Sequence, residues 1–172
     1  YAKSINGDAF SKAVKEETIA LIKRDWGKAD MVIYSLAAPR RTDTQGKTWV
    51  SALKTTGKPF TEKSMDLRNH TIVTKTVEPA AEEEVEGTKK VMGGEDWLDW
   101  IKALKAADVL EDNALTVAYS YIGPRLTYPI YYDGTIGQAK RHLEKTARVI
   151  REEFPDVRAL ISVNKALVTQ AS

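Results

Sequence analysis

The sequence predicts an α/β fold: a doubly wound, mostly parallel sheet with flanking helices, incomplete, and carrying an inserted β-hairpin region. Two observations point there. Short apolar runs at 30–35, 115–121 and 157–163 are separated by amphipathic stretches long enough to be crossover helices. The stretch 118–140 starts as a strand, breaks at Gly123-Pro124 and restarts as a helix after Asp133-Gly134. A third observation qualifies the prediction. No strand here is followed by a Gly-rich turn and a helix, the usual opening of a dinucleotide-binding half, since Gly7, Gly27 and Gly123 stand alone. The sheet therefore reads as the later strands of such a domain.

Taken in order, Tyr1–Ile5 reads as the end of a strand and Asn6-Gly7-Asp8 as a turn. Ser11 to Asp25 is an amphipathic helix, with Val14, Thr18, Leu21 and Ile22 on one face and Gly27 as its stop. Residues 30–35 form a buried parallel strand, completing a strand–helix–strand unit. It ends in Leu36-Ala37-Ala38-Pro39, small residues that let a ligand approach the backbone. Residues 40–78 are polar, with alternating patches at 48–52 and 70–77, and read as an inserted hairpin or antiparallel excursion. A lid is one role for it; surface decoration is the safer expectation.

Pro79 is expected at the first position of a helix whose acids, Glu82–Glu84, come early and whose Lys89 and Lys90 come late, the order that suits the macrodipole. Those three acids read as a solvated helix start rather than a metal site. After Gly93-Gly94 a helix over 95–107 places Trp97, Leu98, Ile101 and Leu104 on one face, with Trp100 beside them. This is core packing, or else the wall of an acyl channel. The strand at 115–121 follows, then a loop with Tyr128, Tyr131 and Tyr132, then a helix from Thr135 to Glu153 ended by Pro155. Its buried stripe is Ile136, Leu143, Ala147 and Ile150. Residues 157–163 form a last buried strand. His70 and His142 read as surface residues.

Composition excludes several classes of function. The 172 residues suffice for one domain with a core. Twenty-six basic and 24 acidic residues, mixed along the chain, give +2, without the basic stripe of a nucleic-acid binder. There is no Cys, so disulfides and thiolate metal sites are out. No apolar run approaches the roughly 18 residues of a membrane span. A cytoplasmic setting is the default expectation, and a monomer is the expected state.

Chemistry concentrates at the central stretch. In open α/β sheets ligands bind in the crevice beyond the carboxyl ends of the strands. Tyr121, Tyr128, Tyr131 and Tyr132 surround that crevice, with Lys140 on the following helix. A phenol, with a free pKa near ~10, is a poor acid at neutral pH, but a neighbouring ammonium favours the phenolate and lowers that value. Phenol beside lysine suits proton donation to a reducible carbonyl system. The competing reading is that the tyrosines pack and Lys140 is a solvated helix residue.

The motifs decide between them. Tyr131, eight residues, then Lys140 resembles the active-site signature of the NADH-dependent trans-2-enoyl thioester reductases, the FabV/Ter type of enoyl-CoA and enoyl-ACP reductase. YSLAAP at Tyr34–Pro39, VMGGEDW at Val91–Trp97, YSYIGP at Tyr119–Pro124, GTIGQAK at Gly134–Lys140 and VNKALVTQAS at Val163–Ser172 extend the resemblance over essentially the whole chain.

The resemblance implies a Rossmann-like, short-chain-dehydrogenase-like domain over 1–172, with the insertion at about 40–78, as an internal piece of a longer enzyme. It lacks the Gly-rich cofactor loop and the C-terminal helices, so residues 1–172 alone are expected not to bind NADH. The implied reaction is reduction of the 2,3 double bond of an enoyl thioester of coenzyme A or acyl carrier protein, in fatty-acid metabolism. By the resemblance Tyr131 is the proton donor, Tyr121 binds the thioester carbonyl, and Lys140 contacts the cofactor and supports the phenol. Asp8 and Ala9 match residues beside the adenine, Leu36 and Ala37 those at the next strand end, and Leu167, Val168 and Thr169 those near the nicotinamide. Two alternatives stand beside this: an ordinary short-chain dehydrogenase or ketoreductase, and a non-catalytic Rossmann-like fragment. The former would put its Tyr four residues before the Lys, where this chain has Ile136.

Overall fold

The computed structural model describes residues 1–66 and 68–166. Helix α1 (Lys12–Asp25) starts where the Ser11 hydroxyl accepts the Val14 N–H at 3.2 Å, satisfying one of the free donors of a helix start. It stops at Gly27, whose φ of +76° continues no helix. Strand β1 (Ala29–Tyr34) follows. The inserted region holds two separate antiparallel ribbons, β2 (Arg40–Thr42) with β3 (Thr48–Val50) and β4 (Phe60–Asp66) with β5 (Thr71–Val77). Helices α2 (Glu82–Met92) and α3 (Glu95–Ala106) lead into β6 (Leu110–Ser120). The chain then passes through a 3₁₀ turn (Arg125–Thr127), the one-turn helix α4 (Tyr128–Tyr131), the long α5 (Thr135–Glu153) and β7 (Arg158–Val163).

The principal sheet has the order β1-β6-β7, parallel throughout, with β6 in the middle. Alternation along β6 decides which face is inside. Ala114, Thr116, Ala118 and Ser120 point into the core, joined by Tyr34 and Ala159 from the neighbouring strands. Trp97, Ile101 and Leu104 of α3 and Leu143, Ala147 and Ile150 of α5 pack on that face, with Ile19 and Ile22 of α1 at its margin. The opposite face leaves Met31, Ile33, Tyr119 and Leu160 exposed. Trp97 is fully buried, and its indole N–H donates to the Thr116 hydroxyl at 2.8 Å. No helix among the described residues is long and apolar enough to cross a membrane.

Several sequence expectations change. Tyr1–Ile5 is not a strand: this segment lies outside the sheet, with Tyr1 exposed against the edge of Trp26 and Lys3 paired with Asp25. Pro79 does not open α2. The helix begins at Glu82, because the Ala80 N–H donates to the Thr55 carbonyl and Pro79 forms a bridge with Thr55. The Glu84 carboxylate instead accepts the Ala81 N–H at 2.9 Å. Strand β6 starts at Leu110, well before 115, tolerating a break in register around Asn113 at φ +62°. Finally, β1 and β7 are each buried on one face only, since Met31 and Ile33 are each 53 % exposed and Leu160 is open to solvent as well.

The Trp97–Thr116 bond yields a test. Thr116→Val keeps volume and removes the acceptor, leaving a buried indole N–H without a partner. It should destabilise the protein by about 1–3 kcal/mol, read as a shift of the urea midpoint with unchanged slope.

Candidate active site

The end of β6 delivers the first site residue. Tyr121 follows Ser120 directly, and Gly123 at φ +82° turns the chain away from the sheet. The 3₁₀ turn and α4 then fold back so that the rings of Tyr121 and Tyr131 meet edge to face, centroids 5.0 Å apart at 81°. Tyr128 and Tyr132, four apart, stack on each other at 4.8 Å. The return onto α5 requires Gly137: a Cβ there would overlap the Tyr132 carbonyl.

Tyr121, Tyr131 and Lys140 thereby line one cleft of about 330 Å³, shared with Tyr132, Arg141 and Glu144. The Lys140 ammonium donates to the Tyr119 carbonyl at 3.4 Å, and burial pushes its pKa below the ordinary 10.5. Arg141 donates to the Tyr132 carbonyl at 3.1 Å and lies over that ring. Ile136, four residues before Lys140, is part-buried on α5, while Tyr131 sits on a separate helix. That is not the one-helix Tyr–Lys face of an ordinary short-chain dehydrogenase.

Of the residues matched to the cofactor, Asp8, Ala9, Leu36 and Ala37 fall about the carboxyl end of β1. Ala9 and Leu36 line a slot of about 240 Å³ with Val32, Tyr34 and Trp100. Its floor is held from below. The Trp100 indole N–H donates to the Ala9 carbonyl at 3.1 Å, and the Lys15 ammonium donates to the Phe10 carbonyl at 2.8 Å. Lys15 is buried and pairs with Asp96 at 2.6 Å, and Asp96 also accepts the Tyr34 hydroxyl at 3.2 Å. Burial and the Asp96 charge push the Tyr34 phenol far up, so it stays a neutral donor.

Asp8 lies in the adjoining cleft, about 530 Å³, with Phe10 and Arg41; its carboxylate accepts the Phe10 N–H at 3.0 Å. Ala37 is exposed just past β1. Leu167, Val168 and Thr169 lie outside the described residues. These features fit a dinucleotide. A narrow, mainly apolar slot and an exposed carboxylate lie at the end of β1, and the phenols and ammonium lie at the end of β6, its hydrogen-bonded neighbour.

Sequence reasoning missed the roles of three residues, two of which support the slot at the end of β1. His142, read as a surface residue, is half-buried, and its Nδ1 accepts the Gly94 N–H at 3.0 Å, a bond that needs the neutral ring. Burial lowers its pKa in the same direction. Lys15 and Asp96, 81 positions apart, looked like ordinary helix charges. A charged residue on the apolar side of each helix was the available signal. Trp97, by contrast, packs in the core, as one of the two readings expected.

Lys140 gives a signed pH prediction. Its folded pKa is depressed, so the unfolded chain binds the proton more tightly. Stability from this group therefore rises with pH between its folded pKa and 10.5. Lys140→Met should be more stable than the parent near neutrality, the gap closing as pH approaches 10.5; thermal unfolding across that range reads it.

Comparison with known proteins identifies the family of the chain. The description "Trans-2-enoyl-CoA reductase catalytic region" matches residues 1–172. A trans-2-enoyl-CoA reductase [NADH] of Clostridium perfringens is 60 % identical over 98 % of this chain and 44 % of its own length. An enoyl-[acyl-carrier-protein] reductase [NADH] of Pseudomonas fluorescens is 52 % identical over 100 % of this chain and 44 % of its own. The crystal structure of Treponema denticola trans-2-enoyl-CoA reductase in complex with NAD superposes with a TM-score of 0.96 at 48 % identity, over 100 % of this chain and 43 % of that one. The chain thus spans less than half the length of the relatives it matches. With the family description matched from end to end, the chain belongs to the trans-2-enoyl-CoA reductase family.

Proposed function

We propose that the protein carrying this chain reduces the 2,3 double bond of trans-2-enoyl thioesters, of coenzyme A or acyl carrier protein, using NADH. The 172 residues form one Rossmann-like part of that enzyme, with 40–78 as an insertion, and the reaction belongs to cytoplasmic fatty-acid metabolism. The observation that carries the proposal is the single cleft shared by Tyr121, Tyr131 and Lys140 at the carboxyl end of a parallel strand. The matched relatives with these names support it.

On this reading Asp8, Ala9, Leu36, Ala37 and Lys140 hold the cofactor, joined by Leu167, Val168 and Thr169. When bound, NADH supplies a hydride to the β carbon of the substrate. Negative charge then gathers on the thioester oxygen, and a donor placed where that charge develops is the largest catalytic contribution available. Tyr121 donates to that oxygen. Tyr131, held edge-on to Tyr121, protonates the α carbon. Lys140 sits partly desolvated against the Tyr119 carbonyl and lines one cleft with both phenols; on this reading it serves a ribose hydroxyl and the phenols together. Its field is strengthened by the same burial that lowers its pKa.

Two substitutions test the assignments. Tyr131→Phe should lower kcat by about 10²–10⁴-fold while leaving NADH affinity within a few-fold. A rate retained within a few-fold transfers the donor role to Tyr121. Lys140→Ala should weaken both NADH binding and turnover, and Lys140→Arg should rescue poorly, because a planar fork does not replace a compact point charge. NADH titration by fluorescence separates the two effects.

A further inference from the structure

The inserted region is tied to the cleft by a segment that neither ribbon contains. Residues 51–56, between β3 and β4, run across α2 and reach the start of α5. On the α2 side the Ala52 N–H donates to the Thr88 hydroxyl at 2.9 Å, and that hydroxyl donates to the Glu84 carbonyl at 2.7 Å. Gly87 is needed there, since a Cβ would lie 2.5 Å from the Val50 carbonyl oxygen. On the α5 side the Thr135 N–H donates to the Lys54 carbonyl at 2.9 Å. The Thr135 hydroxyl accepts the Lys54 N–H at 3.2 Å and donates to the Ala52 carbonyl. The Thr56 hydroxyl donates to the Asp133 carbonyl at 2.5 Å.

Thr135 is fully buried, and both ends of its hydroxyl are used. It stands between the two glycines that permit the fold-back. A Cβ on Gly134 would lie 2.5 Å from the Lys54 carbonyl oxygen, and one on Gly137 would overlap the Tyr132 carbonyl. So the strap, the start of α5 and the tyrosine segment touch backbone to backbone, with no side chain to cushion a shift. Such contacts transmit displacement rather than absorbing it.

We propose that Thr135 is a positioning residue, through which the strap of residues 51–56 fixes the tyrosine segment 128–134 against α5 and so sets Tyr131 over the Lys140 cleft. The positioning is independent of the reaction assigned above; its effect on rate rests on the enoyl reductase reading. The inserted region is then neither lid nor decoration at this point. It is the outer wall of the catalytic corner, while β4 and β5, which pair mainly with each other, extend from it.

The test compares Thr135→Val, which keeps shape and loses both hydrogen bonds of the hydroxyl, with Thr135→Ser, which keeps them. Thr56→Val, at a half-buried position, serves as a milder variant that removes one strap bond. Amide hydrogen exchange and steady-state kinetics are measured on the whole protein. Thr135→Val should raise exchange over 128–137 selectively. It should lower kcat by about 10–100-fold, the scale of an ångström-sized misplacement, with KM for NADH little changed. Thr135→Ser should restore both readouts, and Thr56→Val should show the same pattern more weakly.

Unchanged exchange over 128–137 in Thr135→Val overturns the proposal. So does a uniform rise in exchange with a fall in both kcat and NADH affinity, which marks a merely structural residue. Raised local exchange with kcat retained overturns the link to catalysis. A parent protein inactive on enoyl thioesters, whose exchange still follows Thr135 selectively, supports the strap and removes the reaction assignment instead.

Discussion

The site depends on β6 being a central strand. Its backbone is paired on both edges, to β1 and to β7, and its inner face is sealed by α3 and α5. A strand so constrained cannot slip, because a shift of one residue would turn Thr116 and Ala118 outward and drive Val117 and Tyr119 into the core. Register therefore fixes where the strand ends, and with it the position of Tyr121. It also fixes the Tyr119 carbonyl, which receives the Lys140 ammonium from α5. The two elements that line the cleft are thus referred to one rigid strand, and precision there is inherited from packing some way below it.

Around that strand the molecule uses buried polar contacts to locate loops. The Lys15–Asp96 pair is an example. A buried ion pair is weak support for stability, but losing either partner would leave a charge without compensation. Here its ammonium also holds the Phe10 carbonyl, and its carboxylate holds the Tyr34 hydroxyl, so the loop before α1 and the end of β1 are fixed to α3 together. His142 does the same for the Gly93-Gly94 turn, and Thr135 for the strap. Each contact joins residues far apart in the chain, and the Lys15 and Thr135 contacts lie beside the clefts rather than in the middle of the apolar core.

Lys140 shows the cost of this arrangement. An ammonium held in a partly desolvated crevice by one carbonyl is a poor choice for stability, and its depressed pKa records the penalty. Functional sites commonly carry perturbed groups of this kind. The exposed apolar face of the sheet, with Met31, Ile33 and Leu160 open to solvent, is another local departure from what packing alone would favour.

Much of this was legible in the residues themselves. Helix α5 runs from Thr135 to Glu153 as its periodicity and Pro155 require, and α1 begins at its serine cap. The tyrosines after β6, Lys140 and the small residues after β1 fall at the clefts, because a parallel α/β sheet puts ligand crevices at strand ends, while the significance of the Tyr131–Lys140 spacing came from the family resemblance. Other features were decided only by tertiary structure. Pro79 has every local qualification to start a helix, yet a hydrogen bond between Ala80 and Thr55, distant in sequence, moves the start to Glu82. The role of 51–56 was invisible for the same reason. A strap is defined by the backbone groups it meets, and those meetings, Ala52 with Thr88 and Lys54 with Thr135, leave no periodicity in the sequence. Local propensity and spacing are properties of neighbours along the chain; hydrogen bonds between remote backbones exist only once the chain has folded.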